Sequence, residues 1–98
     1  MVQSSTATER IKTMKNIACY DNQGKTLDRY TVVFLKTGGR TKDGILYEAR
    51  GMNADPYRGI GYWCTARRGR HLGKRIAFED LPRPCQSCVL NDLKNMEA

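Results

Sequence analysis

The sequence of 98 residues predicts one α+β domain. Short runs of β-branched and aromatic residues alternate with turn residues in the first half, and one amphipathic segment lies near the C terminus. We expect a three- to four-stranded, mainly antiparallel sheet, with one C-terminal helix packed on a face and a long basic loop. Residues 1–12, which are polar and aperiodic, are predicted to form a flexible tail, and residues 13–98 the domain.

The first two strands are predicted to form a hairpin. Ile17 and Cys19 alternate with other residues in the segment 15–20, and the turn-forming residues 21–24 follow. The next β-rich run, 28–35, is apolar on both of its faces, which is typical of a central strand.

Further strands are predicted beyond the glycine-rich reversal that follows this hairpin. Residues 45–47 continue as a third strand that ends before Gly51. The segment 53–73 is rich in glycine and predicts a loop, whose apolar run at 60–64 has the length of one short strand. Residues 75–78 alternate again and predict a fourth strand at the edge of the sheet.

The C-terminal helix is predicted from its start signal and from its apolar stripe. Glu79 and Asp80 favour the positive end of a helix, and the nearby prolines are tolerated in a first turn. A helix to about Met96 follows. Residues at spacings of three and four form one stripe: Cys85, Cys88, Val89, Leu93 and Met96. We expect this stripe to pack on the sheet.

The charge of the chain is concentrated in one stretch. Lys and Arg number 17 against 10 Asp and Glu, which gives a formal net charge of +7. Residues 56–78 contain no acidic residue, and a local positive field attracts nucleic acid, acidic protein faces or anionic lipid. The predicted binding site for an anionic partner consists of Tyr57, Arg58, Tyr62, Trp63, Arg67, Arg68, Arg70, His71, Lys74 and Arg75. The alternative is a solvated loop whose aromatic residues fill the core.

The cysteines are predicted to be reduced core residues. The alternative is a zinc site, because two of the four form a Cys-x-x-Cys pair: Cys19, Cys64, Cys85 and Cys88. A redox role for that pair is disfavoured, because no suitable fold pattern precedes it. We therefore expect neither a metal nor another cofactor.

No catalytic constellation is predicted, and we expect the protein not to be an enzyme. His71 is the only histidine, and a dyad with Cys64 rests only on the presence of both residues. The glycines near Lys74 lack the Ser or Thr that follows the lysine of a phosphate-binding loop. A small-molecule substrate is therefore not expected.

The N-terminal segment predicts the compartment. Residues 1–10 are polar, and no stretch approaches the 18 or so consecutive apolar residues of a membrane-spanning helix. We expect a soluble protein of the cytoplasm that has no membrane partner.

Several short strings of the sequence stand out together, at 19–22, 24–26, 28–34, 69–76 and 78–82. They resemble strings in small uncharacterised accessory proteins of bacteriophages, prophages and other mobile elements, and the similarity spans about residues 15–93. The resemblance implies a non-catalytic binder in the host cytoplasm. Such a protein accompanies phage DNA, or blocks or redirects a host complex such as a defence nuclease, including those of CRISPR systems.

The resemblance also suggests that residues 28–30 and 70–73 form one structural or functional nucleus. An ion pair from Asp28 or Asp21 to an arginine of the second string is one explanation, and a shared binding role is the other.

The expected function is binding of an anionic surface by residues 57–75, either on nucleic acid or on a host nucleoprotein or nuclease complex. One alternative is a specific protein–protein inhibitor whose aromatic hot spot is centred on Tyr62 and Trp63. Another is a small structural zinc module.

Overall fold

The computed structural model describes residues 16–97, and within them the chain forms six β-strands and one α-helix. The strands are β1 (Ile17–Asp21), β2 (Tyr30–Phe34), β3 (Gly39–Thr41), β4 (Gly44–Met52), β5 (Gly61–Ala66) and β6 (Lys74–Ile76). The helix, α1, is Arg83–Glu97. Three short 3-10 turns lie at Leu35–Thr37, Arg70–Leu72 and Phe78–Asp80. The predicted flexible tail, 1–12, lies outside the described residues.

The strands form an antiparallel sheet in the order β5-β4-β2-β1-β6. β4 is the longest strand and pairs with two others in succession along its length. Its residues 49–52 pair with β2, and its residues 44–46 pair with β3. Thr37 bridges the interruption between them. Its Oγ1 accepts a hydrogen bond of 2.8 Å from the backbone N–H of Glu48 and donates one of 2.7 Å to the carbonyl of Phe34.

The main core lies between the sheet and α1. Alternation along β1 and β2 directs Ile17, Val32 and Phe34 towards the helix, where Cys85 and Val89 meet them; all five side chains are buried. Complete burial of an apolar side chain of this size stabilises the fold by about 1.5–3 kcal/mol. The predicted apolar stripe of the helix therefore packs on the sheet through Cys85, Cys88, Val89 and Leu93, whereas its last member, Met96, is exposed.

A second cluster covers the opposite face of the sheet, which we call the helix-free face because no residue of α1 contributes to the cluster. Its buried members are Ala18, Tyr20, Val33 and Ala49. Partly buried residues pack around them: Leu35, Tyr47, Cys64, Ala66 and Leu72.

The structure confirms the α+β class, the antiparallel sheet and the C-terminal helix on one face, and it confirms an edge strand at β6. The sheet has more strands than the three or four predicted. The prediction that the third strand ends before Gly51 is wrong, because β4 continues to Met52. Much of the expected long basic loop is ordered as β5 and β6, with the first of these paired along six residues of β4.

The helix begins about one helical turn later in the sequence than predicted. Glu79 and Asp80 lie in a 3-10 turn, where the carboxylate of Asp80 accepts a hydrogen bond of 3.1 Å from the backbone N–H of Ala77. The helix then begins at Arg83, after Pro82. Within residues 16–97, no helix combines the length and the apolar composition that a membrane crossing requires.

Candidate nucleic-acid interface

The two central aromatic residues of the predicted site, Tyr62 and Trp63, lie on opposite faces of the sheet. Both belong to β5, and successive side chains of a strand alternate between faces. Tyr62 lies over Gly51 on the helix-free face, whereas Trp63 stacks on Phe34 of the main core. The predicted site is therefore divided between two surfaces.

Arg68 lies among tyrosines on the helix-free face. Its Nε donates a hydrogen bond of 3.3 Å to the hydroxyl of Tyr20, and this bond raises the pKa of Arg68, with a further contribution from Tyr47. Arg75 of β6 pairs in register with Tyr20 of β1, and its guanidinium lies 5.7 Å from the centre of the Tyr20 ring. We call Tyr20, Tyr47, Tyr62, Arg68 and Arg75 the tyrosine–arginine face.

The ring of Tyr62 is held in place from two directions. A Cβ built on Gly51 would lie 2.8 Å from Tyr62 Cζ, so only glycine leaves room for this ring. The hydroxyl of Tyr62 donates a hydrogen bond of 2.6 Å to Oδ2 of Asp28, and this bond raises the pKa of Tyr62 to about 12. Hydrogen bonds from Thr26 and Tyr62 lower the pKa of Asp28. The Tyr62 side chain is nevertheless 44% exposed.

Most cations of the segment 67–75 have no acidic partner among the residues that the structure describes. The ion pairs formed among residues 16–97 are Arg29–Asp21 at 2.8 Å, Arg50–Asp92 at 2.7 Å and Arg67–Asp43 at 3.9 Å. The last of these joins two exposed side chains and contributes little. In the described part of the chain, no carboxylate lies within ion-pair distance of Arg68, Arg70, Lys74 or Arg75.

Trp63 belongs to a cluster on the helix side in which the cation, Arg50, is paired with a carboxylate. Its ring stacks on Phe34 with centroids 5.3 Å apart, and the guanidinium of Arg50 lies 5.1 Å from the Trp63 ring. Arg50 is bound in turn by both carboxylate oxygens of the buried Asp92, at 2.7 and 2.9 Å. Trp63 Nε1 donates a hydrogen bond of 3.3 Å to Glu48. This indole is therefore separated from the uncompensated arginines by the thickness of the sheet.

The remaining predicted site residues are distributed around these two surfaces. Tyr57 and Arg58 are exposed in the turn between β4 and β5, where Asp55 accepts backbone hydrogen bonds. Arg70 and His71 are exposed in the 3-10 turn before β6, and Leu72 of that turn packs in the helix-free cluster. The structure thus places Arg68 and Arg75 next to Tyr20 and puts Tyr62 on the same face, three strands away from Tyr20. The turn that carries Arg70 and His71 is anchored to this face through Leu72.

Sequence reasoning missed Tyr20 and Tyr47, which complete the tyrosine–arginine face, and it missed Asp28 as the partner of Tyr62. Tyr20 alternates in β1 with Ile17 and Cys19, which face the helix, and this signal places Tyr20 with Ala18 on the opposite face. The other two positions depend on pairings between distant strands, which sequence spacing does not reveal.

The four cysteines do not converge. The sheet separates Cys64, in the helix-free cluster, from the other three, in the main core. Burial raises the pKa of Cys19 to about 12 and that of Cys85 to about 11, so these thiols are protonated at neutral pH. Among the described residues, no three His, Cys, Asp or Glu side chains form a group that could bind a metal, and no hydrogen bond joins Cys64 to His71.

The two strings that the phage resemblance linked, 28–30 and 70–73, lie on either side of the end of β1, at Asp21 and Asn22. Gly73 has a φ of +107°, and a Cβ built on it would lie 2.4 Å from the carbonyl oxygen of Asp21. The proposed ion pair between the strings is not formed, because Asp21 pairs with Arg29 and Asp28 with Tyr62. What the two strings share is therefore the end of β1, since Gly73 packs on Asp21 and Asn22 and the N–H of Asn22 donates to the carbonyl of Arg29.

A cleft of about 390 Å³ opens on the helix side, next to the Trp63 cluster. Its lining is mixed, with polar and charged groups beside apolar ones: Asn16, Phe34, Lys36, Thr37, Glu48, Leu93 and Met96. Phe34 and Glu48 also contact Trp63, so the cleft and the indole form one continuous surface.

Comparison with family models, with curated proteins and with solved structures gave no significant match to this chain. The geometry of the two surfaces is therefore the basis on which a function can be assigned.

Proposed function

We propose that this protein is a non-enzymatic binder of single-stranded nucleic acid that uses the tyrosine–arginine face. The observation that supports the proposal is the contrast between two groups of cations. Arg29 and Arg50 are paired with carboxylates elsewhere in the fold, whereas Arg68, Arg70 and Arg75 have no such partner among the described residues. Guanidinium groups left in this state are available to phosphate oxygens.

The aromatic part of the face favours an unpaired strand over a duplex. Tyr62 is 44% exposed, and its hydroxyl is anchored, so the ring presents a rigid surface to a base. Bases stack on aromatic side chains only where they are not already stacked within a duplex, and such contacts contribute about 1–3 kcal/mol per base. Arg75, which already lies over the Tyr20 ring, adds a second planar group at the other end of the face.

The proposal is tested with a fluorescently labelled oligothymidylate and a pair of matched double variants. The first double variant combines Arg70→Glu and Arg75→Glu, and it reverses the charge of two side chains of the candidate site. Arg83→Glu with Lys94→Glu reverses two exposed cations of α1, on the other side of the sheet. Each pair lowers the formal net charge by four, from +7 to +3, so non-specific electrostatics change equally. Fluorescence anisotropy then gives the dissociation constants, and circular dichroism reports the fold.

We expect the Arg70/Arg75 double variant to raise the dissociation constant at least about tenfold. The Arg83/Lys94 double variant should raise it at most about threefold. If four cations contact phosphates of a single strand, the logarithm of affinity falls with the logarithm of salt with a slope of about −3. Equal losses in both pairs would indicate diffuse attraction and would contradict a site on this face. Absence of binding at low salt would contradict the proposal altogether.

The resemblance to phage accessory proteins extends the proposal to a host nucleoprotein or defence nuclease complex whose nucleic-acid site this face occupies. Affinity capture from a host lysate, with and without nuclease treatment, separates the two cases. A partner lost after nuclease treatment is nucleic acid or is tethered by it, whereas a partner that remains and competes with the oligothymidylate is such a complex.

A protein–protein inhibitor is a second candidate function, because large apolar side chains are exposed on the helix side. Trp63 is 42% exposed, Tyr57 64% and Met96 39%, and the cleft of about 390 Å³ adjoins the indole. The hot spot that the sequence suggested reduces to Trp63 with its helix-side neighbours, since Tyr62 lies on the other face. For this candidate we expect Trp63→Ala to abolish binding of the partner, with little dependence on salt.

A further inference from the structure

The two outer strands of the sheet differ in how they are protected from other chains. β6 is three residues long and carries Lys74 and Arg75. β5 is six residues long, contains neither a charged residue nor a proline, and pairs with β4 alone among the described strands. Proteins protect exposed sheet edges by making them short or by placing charges and prolines on them. By this criterion β6 is protected and β5 is open to pairing with another strand.

One hydrogen bond fixes which backbone groups of β5 face outward. The N–H of Asn53 donates a bond of 2.9 Å to the carbonyl of Ile60, in the same register that pairs β4 with β5. Because bonded and non-bonded pairs alternate in an antiparallel ladder, every second residue after Ile60 is bonded to β4. The residues between them direct N–H and C=O away from β4: Gly61, Trp63 and Thr65. All three are exposed.

We propose that β5 pairs antiparallel with β5 of a second copy of this chain, about a two-fold axis at Trp63. The outward-facing positions are symmetric about this residue. Gly61 then lies opposite Thr65 of the second copy, Trp63 opposite Trp63, and Thr65 opposite Gly61. Each such pair exchanges two backbone hydrogen bonds, so every outward-facing group of the strand is satisfied.

Charge and sterics are both compatible with this pairing. The paired segment carries no charge, and Arg67 and Arg68 follow its last residue, so no like charges oppose one another within it. Pro56 packs against Gly61, where a Cβ would meet it at 2.5 Å, but Cβ directions are perpendicular to the sheet. Pro56 therefore lies on the helix side and leaves the edge of the strand accessible.

The dimer would join the two sheets into one. A two-fold axis that relates antiparallel edge strands is perpendicular to the sheet, so both helices lie on one side and both tyrosine–arginine faces lie side by side on the other. The pairing does not depend on nucleic-acid binding, although it would double the basic surface.

The dimer is expected to be weak. Two paired strands of six residues bury less than the roughly 800 Å² per partner of a standard interface. We therefore expect a dissociation constant in the micromolar range, on the order of 10 µM.

Sedimentation and hydrogen exchange test the proposal on the full chain, between about 5 and about 500 µM, on either side of the expected dissociation constant. We expect the weight-average mass to rise from about 1.4 to about 1.9 times that of one chain. The amides of Gly61, Trp63 and Thr65 should exchange about sixfold more slowly at the higher concentration, in proportion to the fall in the monomer fraction. The amides of Tyr62 and Cys64, which bond to β4, should not change.

Variants at Thr65 separate edge pairing from other contacts. Thr65→Pro removes an outward-facing donor, a change that an edge strand tolerates, and should give a monomer at every concentration. Thr65→Ala keeps the donor and should dimerise as the native chain does. Thr65→Lys places a charge on the edge and gives the same test if the proline variant does not fold.

Three results would overturn the proposal. One is a native chain that stays monomeric over the whole range, and another is a Thr65→Pro variant that folds and dimerises normally. The third is protection of the outward-facing amides only in a complex with a different protein, which would assign this edge to a heterologous strand.

Discussion

The hydroxyl of Tyr62 donates a hydrogen bond of 2.6 Å to Oδ2 of Asp28, and this bond passes over β4. Tyr62 belongs to β5, its ring covers Gly51 of β4, and Asp28 precedes β2. One side chain thus connects the open edge of the sheet to the connection between its first two strands. This contact holds the exposed ring of the tyrosine–arginine face in a fixed position, which a stacking surface requires.

Removal of either partner of this bond should destabilise the fold. We expect Tyr62→Phe to lower the free energy of unfolding by about 1 kcal/mol, at the low end for a bond to a charged group because the phenol is 44% exposed. Asp28→Asn should lower the free energy of unfolding by a similar amount. The double variant should lose no more stability than the more destabilised of the two single variants. Denaturant unfolding followed by fluorescence of the single tryptophan, Trp63, measures all three. Additive losses would show that the two side chains are not coupled.

The same bond should make stability fall at alkaline pH. The pKa of Tyr62 rises from 10.0 to about 12 on folding, so the phenol contributes stability that is fully present below pH 10. This contribution is lost as the pH rises from 10 to about 12, because the tyrosinate cannot donate to Asp28. We expect the native chain to lose more stability than Tyr62→Phe across this window. Parallel pH profiles would contradict the assignment.

Gly51 should be intolerant of a side chain because of the Tyr62 ring. A Cβ at Gly51 would lie 2.8 Å from the ring, and a ring that moved away would lose its bond to Asp28. We expect Gly51→Ala to cost about 1–3 kcal/mol. Gly39→Ala is the control, since Gly39 is also in a strand but a Cβ there meets nothing within 4 Å. Equal losses of stability in the two variants would show that the Tyr62 ring does not determine the cost of a side chain at Gly51.

The sequence predicted those elements whose signal is local. The alternation of β1 and β2, with both faces of β2 apolar, was sufficient to place a central hairpin, and the stripe of α1 was sufficient to place the helix. β5 was not assigned as a full strand, because its two adjacent aromatic residues obscure the alternation and glycines and arginines flank it. Its strand conformation depends on pairing with β4, which is a tertiary effect.

The candidate site was predicted in its composition but not in its geometry. Proximity in sequence placed Tyr62 and Trp63 on one surface, whereas the two-residue period of a strand puts them on opposite faces. Asp92 carried a readable signal, since it lies four residues after Cys88 and so falls on the apolar stripe of α1. A buried acid on such a stripe requires a partner. That partner, Arg50, is 42 residues away and cannot be identified from spacing.

The ion pair between Arg50 and Asp92 should be the most costly one in the described structure to break. Asp92 is 7% exposed and binds the guanidinium through both oxygens, so Asp92→Asn leaves the partly buried cation of Arg50 without its counter-charge. We expect a loss of about 2–4 kcal/mol in the free energy of unfolding. Denaturant unfolding measures this loss.

The fluorescence of Trp63 gives a second readout of the same change, because Arg50 lies 5.1 Å from its ring. In native buffer the emission of Asp92→Asn should shift to longer wavelength as the released guanidinium uncovers the indole. Asp43→Asn is the matched control, since the exposed Asp43 lies 3.9 Å from Arg67, and it should cost less than about 0.5 kcal/mol without a spectral shift. If the two substitutions had similar effects, the position of Arg50 against the Trp63 ring would not depend on Asp92.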